Sequence, residues 1–376
     1  MVTGGSGTVV LGGATSRICV PEPFKATRFA PDRDEFQACS IKPDARTWRA
    51  GDAMLRVGYP AAISAEFLSG FPEGIELIPL ADPLDHDTEI DVWIPDPYPT
   101  VSLRIAPRLR GVKLVLSLMA GTEWIPGAMG PHVTICNARG AHSTSTAEWT
   151  LSAILAMLKH FPFFFAVQRD CVWKRRFEAS ANYAKITGDT RKLHPPVMLE
   201  ELTGKRVLMV GHGSIGQEIE RLLEPFRVQM TRVTRTARTE PKVHALSELD
   251  ALLPHAEIAI LILPLNDESR NLIGSRQLAL LPQGALLVNA ARGPIVNTDA
   301  LVEALHSGRI RAALDVTDPE PLPEGHPLWS CPNVFITPHV AGSTPQFAPR
   351  SLETALGELR RFMAGEPLQN AVQIAI

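Results

Sequence analysis

The chain has 376 residues, 45% of them hydrophobic and 20% charged, and 37 Lys+Arg against 40 Asp+Glu leave a formal charge of −3. Such a chain holds two domains, or three, around a large core, and this balance excludes a disordered, collagenous or coiled-coil protein. Aromatics are only 6% and no basic stripe interleaves with them, so nucleic acid is not expected as a partner.

Residues 1–51 mix Gly, Pro, Arg and Asp around one short apolar run at 17–21 and read as an irregular extension. Met54 opens the first clear strand, so the extension is expected to be dispensable for folding. From there short apolar runs alternate with helical segments: strands over 54–60, 75–80, 90–95, 112–120 and 132–138, and helices over 61–71 and 101–110. Apolar runs without strict alternation are the pattern of parallel strands covered on both faces, which predicts a small α/β layer domain. A long helix is expected from Ser143, where Ser143-Thr144-Ser145-Thr146-Ala147-Glu148 offers hydroxyl caps and an early acid. The polar stretch 175–199, with Pro195-Pro196, reads as a loop.

A second series follows: strand 202–211, helix 214–223, strand 228–234, a short helix over 246–253, strand 258–264, helix 275–281, strand 285–291, helix 299–307 and strand 311–316. This is the alternation of a doubly wound sheet. A helix over 351–364 ends the pattern. Five cysteines, at 19, 39, 136, 171 and 331, show no CxxC or Cys/His spacing, so neither a disulfide framework nor a metal site is expected and a reducing cytoplasm fits. No apolar run approaches the roughly 18 residues a membrane span needs, and the first residues lack the basic region of a secretory signal.

Gly211-His212-Gly213-Ser214-Ile215-Gly216 stands between a strand and a helix. The first glycine permits the tight turn, the second lets the backbone reach a pyrophosphate, and the third lets helix and strand pack closely, while the helix N-terminus offers amide donors. At the end of the next strand an acid would bind the ribose hydroxyls of NAD. The chain instead reads Val233-Thr234-Arg235-Thr236-Ala237-Arg238, whose guanidinium and hydroxyl groups suit a 2′-phosphate. NADP(H) is therefore the expected cofactor, with NAD(H) still possible; solvated surface arginines are the plain alternative.

Three further signatures arrive in order: Asn289-Ala290-Ala291-Arg292-Gly293, then Leu314-Asp315-Val316 running to Asp318-Pro319-Glu320-Pro321, then Thr337-Pro338-His339. Together with the nucleotide turn they resemble the D-isomer-specific 2-hydroxyacid dehydrogenase family over roughly 54–370, and most of all its NADPH-using glyoxylate/hydroxypyruvate reductases. The resemblance implies a flavodoxin-like substrate domain (52–141 and 343–376) with an inserted Rossmann-type dinucleotide-binding domain (142–342), a homodimer, and a small 2-oxo acid reduced in the cleft.

By the same resemblance Arg292, Glu320 and His339 form the catalytic set. Arg292 would hold the substrate carboxylate and polarise the carbonyl, and His339 would donate the proton with Glu320 favouring its imidazolium form. Gly211, Gly213, Ser214, Ile215, Gly216, Thr234, Arg235, Thr236, Leu263, Pro264, Ala290, Ala291, Arg292 and Asp315 would contact the cofactor. Ala120 and Gly121 would cradle the substrate beside Arg292 and His339. Asp315 reads either as the partner of the nicotinamide carboxamide or as a structural strand-end acid. Trp124 either shapes the pocket or packs on the helix between the domains, and Glu123 is expected to turn away from a bound anion. The segment 173–202 looks longer than usual, fitting a dimer element, a lid or a disordered loop, and the approach to Asp315 looks one residue short. An NAD-dependent D-hydroxyacid or phosphoglycerate dehydrogenase, a phosphite or formate oxidiser, and a non-enzymatic nucleotide-sensing scaffold are the alternatives.

Overall fold

The structure, a computed structural model, describes residues 54–188 and 199–372. The N-terminal extension and the Pro195-Pro196 stretch lie outside the described residues. The first sheet comprises β1 (Leu55–Pro60), β2 (Ile75–Leu80), β3 (Val92–Trp93), β4 (Leu114–Leu116) and β5 (Thr134–Cys136). Its order is β2-β1-β3-β4-β5 and every pairing is parallel. That is the flavodoxin-like arrangement, in which the order reverses beside β1 and ligands gather at the strands' carboxyl ends. The strands are shorter than the apolar runs predicted. Val92, Trp93 and Ile94 are almost fully buried, yet ladder pairing of β3 covers two residues, with Ile94 N–H reaching Gly58 O (2.8 Å) as a continuation. The 61–71 helix shrinks to Ala65–Leu68, and 101–110 divides into the helix Pro99–Ile105, a 3₁₀ turn and a strand pair at Leu109–Arg110.

Helix α1 (Ser143–Leu158) carries the chain onward. Its cap differs from the expectation: His142 occupies the cap position without a side-chain cap bond, and the buried Ser143 hydroxyl has no hydrogen-bond partner. Helix α2 (Phe161–Arg169) follows a left-handed His160 (φ 53°). The stretch read as a loop contains helix α3 (Glu178–Thr187), closed by Gly188 in left-handed conformation (φ 74°). Good helix formers such as Glu178, Ala179, Ala184 and Lys185 sustain it without a strong apolar period, which is why periodicity missed it. Its end is docked: Ile186 and Ala179 are buried, and Gln283 Nε2 donates to Ile186 O (3.4 Å).

The second sheet contains β6 (Arg206–Val210), β7 (Gln229–Thr234), β8 (His244–Ala245), β9 (Ile258–Leu261), β10 (Ala285–Asn289), β11 (Ile310–Leu314) and β12 (Val334–Ile336). Helices α4 (Ser214–Leu223) and α5 (Thr298–His306) follow β6 and β10. The order is β8-β7-β6-β9-β10-β11-β12, parallel throughout. The order 3-2-1-4-5-6 is that of the dinucleotide-binding fold, here with a seventh strand. Strands β9, β10 and β11 are buried along their whole length, the signature of a sheet covered on both faces. β11 pairs with β10 in unbroken register from Ile310 to Leu314, so the apparently short approach to Asp315 leaves no gap.

Buried charge sits inside this sheet and is paired. Arg311, on β11, donates to Glu200 Oε1 (2.7 Å), and Lys205 Nζ reaches Glu200 Oε2 (2.8 Å). Such a cluster is worth little over an apolar core, but losing one member leaves an uncompensated charge. The chain then returns: α6 (Phe347–Ala364) packs Leu352, Ala355 and Leu359 into the core of the first sheet with Val57, Val92 and Leu114.

Candidate active site

The site residues stand at the carboxyl ends of parallel strands, where loops face the ligand side of a doubly wound sheet. After β6, Gly211 adopts φ 103°, and a Cβ there would overlap the Ile262 carbonyl, so only glycine fits. A Cβ on Gly216 would meet Gly211 O at 2.8 Å, whereas one on Gly213 would meet nothing within 4 Å. The first and third glycines serve packing and the second leaves open space for a ligand. Helix α4 begins at this opening with no side-chain cap, leaving its N-terminal amides and positive dipole end available.

A cavity of about 410 Å³ opens beside the turn, lined among others by Gly213, Thr234, Arg235, Leu263, Pro264 and Ser269. Arg235 is exposed and pairs with Glu268 across it (Nε···Oε2 3.0 Å). Thr234 Oγ1 donates to Thr236 O (2.7 Å). Arg238 is held by a relay absent from the sequence reading. Its Nη2 lies 3.3 Å from His212 Nδ1, His212 Nε2 is 2.8 Å from Glu220 Oε2, and Glu220 is clamped by both Nε and Nη2 of Arg232. With Arg238 donating to Nδ1, His212 donates from Nε2 and is neutral. Burial lowers the His212 pKa, opposed by Glu220 and assisted by the Arg232 and Arg238 charges.

The turn after β10 presents Arg292. Asn289, buried, accepts from Ala291 N–H (3.1 Å) and donates to Arg292 O (3.0 Å), closing the loop around Ala290 and Ala291. Gly293 lies so close to the next loop that a Cβ would overlap Thr317 O. That loop carries Glu320, and it is pinned by Thr298 Oγ1 to Asp318 O (2.6 Å) and Thr317 Oγ1 to Pro319 O (2.9 Å).

His339 follows β12 with left-handed backbone (φ 54°), uncommon for a residue bearing a Cβ. Asp315 holds it there. His339 N–H donates to Asp315 O (2.7 Å), and the Asp315 carboxylate accepts from Thr337 Oγ1 (2.6 Å), Val340 N (2.9 Å) and Ala341 N (2.8 Å). Of the two readings of Asp315, the structural one is thus present in the geometry, with Oδ2 keeping one acceptor position. His339 Nδ1 lies 2.6 Å from Glu320 Oε1. That hydrogen bond raises the imidazole pKa above its ordinary value, against burial and the Arg292 charge and with help from the charges of Glu320 and Asp315. Glu320 and His339 are thus paired, with the Arg292 charge near enough to act on the imidazole.

From the first sheet, the loop after β4 brings Ala120 and Gly121, anchored by Asn137 Nδ2 to Ala120 O (3.0 Å) and Ala138 N to Met119 O (2.9 Å). Glu123 pairs with the guanidinium, its Oε1 3.2 Å from Arg292 Nε. Trp124 packs edge-on against Trp93 (centroids 6.0 Å apart, 80° between planes) inside the first sheet's own core, and not against α1.

Comparison with known proteins decides the family. A family model described as D-isomer specific 2-hydroxyacid dehydrogenase, NAD binding domain, matches residues 151–341. Glyoxylate reductase of Aeropyrum pernix is 33% identical over 334 residues, covering 80% of this chain and 93% of that one. The chain belongs to the D-isomer-specific 2-hydroxyacid dehydrogenase family. Mitochondrial formate dehydrogenase of Solanum tuberosum is 27% identical over 319 residues, covering 80% of this chain and 79% of its own. The crystal structure of an NADPH-dependent glyoxylate/hydroxypyruvate reductase from Sinorhizobium meliloti, in complex with NADP and sulfate, matches with a TM-score of 0.70 at 25% identity. It covers 85% of this chain and 98% of that one.

This dehydrogenase is thus an NAD(P)-dependent oxidoreductase with a Rossmann-type sheet. Sequence reasoning missed the His212–Glu220–Arg232 relay, the partners of the Asp315 carboxylate and the Glu123–Arg292 pair. The relay joins the turn after β6 to α4 and β7, and the other two join loops that follow different strands. Among the described residues no cluster of His, Cys, Asp or Glu could hold a metal ion, and no helix is long and apolar enough to cross a membrane.

Proposed function

We propose that this dehydrogenase reduces a small 2-oxo acid of the glyoxylate or hydroxypyruvate type to the D-2-hydroxy acid, with NADPH preferred over NADH and His339 as proton donor. The observation that carries the reading is the 2.6 Å His339–Glu320 pair with the Arg292 charge acting on the same imidazole, a proton donor beside an anion holder. The cofactor fits the chain: Gly213 leaves room for phosphate beside the α4 N-terminus, and Arg235 and Arg238 stand at the end of β7. When bound, it supplies hydride to the carbonyl carbon.

The chain's own residues do the rest. Arg292 and the Ala120-Gly121 backbone hold the substrate carboxylate, and the guanidinium faces the carbonyl oxygen on which negative charge develops. His339, whose charged form Glu320 favours, delivers a proton to that oxygen, and in the oxidative direction takes it back. Asp315 fixes the His339 turn, and its remaining acceptor position suits the carboxamide of the cofactor. Arg235 leaves Glu268 for a 2′-phosphate while the His212 relay holds Arg238 in reach.

The same reading divides the chain at 141/142 and 342/343, so that closure of the two sheets' domains would shield the cleft from water. It also makes the protein a cytoplasmic homodimer. Free thiols at Cys136, Cys171 and Cys331 support the compartment, and the exposed aromatic surface of Phe161, Phe165, Trp173 and Phe177 supports the dimer. The test is oxidation of NADPH and NADH against glyoxylate, hydroxypyruvate, pyruvate and bulkier phenyl or branched-chain 2-oxo acids. Turnover concentrated on glyoxylate and hydroxypyruvate with NADPH is expected. A folded, nucleotide-binding protein that turns over none of them would be a scaffold on the same fold.

A further inference from the structure

The space in front of Gly121 is filled by the protein itself. A Cβ at Gly121 would overlap Arg292 Nη2 and lie 3.0 Å from Arg292 Cζ and 2.8 Å from Glu123 Oε2. Arg292 Nε faces Glu123 Oε1 at 3.2 Å, and Arg292 Nη1 is spent on Ala291 O (2.7 Å). The Glu123 carboxylate thus stands against the guanidinium and the loop backbone, the two groups assigned above to the substrate carboxylate. Its side chain is 42% exposed and the Arg292 side chain 30%, so the pair is accessible to solvent.

We infer that Glu123 determines charge selectivity: it competes with the substrate carboxylate for Arg292, and once displaced it repels a second negative charge on the substrate. The inference rests on the reading of Arg292 and Gly121 as the carboxylate seat. Only the charge carried beyond the 2-oxo carboxylate is selected, so the site takes monoanionic 2-oxo acids and discriminates against dicarboxylic or phosphorylated ones. A residue that merely oriented Arg292 would act in the opposite sense, because its removal would weaken all anions alike.

Oxamate and oxalate separate these cases, being nearly the same shape with one and two negative charges. Their binding to wild type and to Glu123→Gln, both saturated with NADPH, is measured by calorimetry. The expected result is tighter binding of both anions to Glu123→Gln, with oxalate gaining about tenfold more than oxamate, the scale of one unit charge a few ångströms away at intermediate dielectric. In turnover, kcat/KM for oxaloacetate relative to glyoxylate rises by a similar factor. An unchanged oxalate/oxamate ratio, weaker binding of both, or no binding of either anion to either protein would overturn the inference. Failure of the catalytic reading looks different: the anions bind with the expected ratio, yet no 2-oxo acid is reduced.

Discussion

Replacing Asp315 by Asn tests whether the His339 turn hangs on one buried carboxylate. Oδ1 carries Thr337 Oγ1 and Val340 N, and Oδ2 carries Ala341 N, at 2.6–2.9 Å. In the amide, one oxygen keeps its two donors without the charge, while the new NH₂ meets the Ala341 N–H donor to donor. Losing one charge-assisted bond, weakening two and stranding a buried donor amounts to about 3–5 kcal/mol. The functional loss follows from geometry, since a displacement of about 1 Å at a proton donor costs on the order of a hundredfold in rate. Urea unfolding followed by far-ultraviolet circular dichroism measures the first and kcat the second. Thr337→Val, which removes one hydroxyl donor and keeps the shape, is the graded control and should cost about half as much. If Asp315→Asn kept its urea midpoint within the error of wild type and its kcat within twofold, the clamp would not be what positions His339.

Two further substitutions probe the site. Glu320→Gln replaces the charged acceptor that raises the His339 pKa by a neutral one, so the alkaline fall in reduction rate, expected above the ordinary histidine value near 6.5, should move to lower pH. The kcat at neutral pH should drop about tenfold or more. The linkage sign is fixed too: the raised folded pKa adds stability below the unfolded value, lost as pH rises through the folded one. Wild type and Glu320→Gln should therefore converge in stability at alkaline pH, and a gap that widens there in urea titrations would refute the pairing. Arg238→Ala should weaken NADPH by about ten- to a hundredfold, the worth of a charge-assisted bond to phosphate, and leave NADH within threefold. Fluorescence titration of both nucleotides decides this, and equal losses would remove Arg238 from the phosphate site.

What was legible in the sequence was local. The glycines of the nucleotide turn announce backbone requirements that no other residue meets, and the structure bears this out at Gly211 and Gly216, where a Cβ would run into Ile262 O and Gly211 O. Five of the seven parallel strands of the second sheet were visible, most plainly β9, β10 and β11, because strands buried on both faces are written as unbroken apolar runs; the short, half-buried β8 (His244–Ala245) and β12 (Val334–Ile336) carried no such run. Helix α3 was not, because its stability comes from propensity and from docking Ile186 beside the 283–284 turn, not from an apolar stripe. The Glu123–Arg292 pair was hidden for a different reason: it joins loops 169 residues apart in the chain, after strands of different sheets, which no local pattern reports. Asp315 carries a similar lesson: its partners lie 22 to 26 residues away in the chain, at the end of a neighbouring strand.

The left-handed backbone of His339 sets the residue's two roles against each other. Holding a side chain other than glycine, asparagine or aspartate at φ 54° costs about 1 kcal/mol or more. The Glu320 pair offsets more of this while the imidazole is charged, so the backbone cost weighs more at alkaline pH. Selection for thermal tolerance in alkaline medium would therefore favour Gly or Asn at this position. Histidine at 339 is a choice that backbone geometry alone would not make, and under the proposed function it is the choice that proton donation makes.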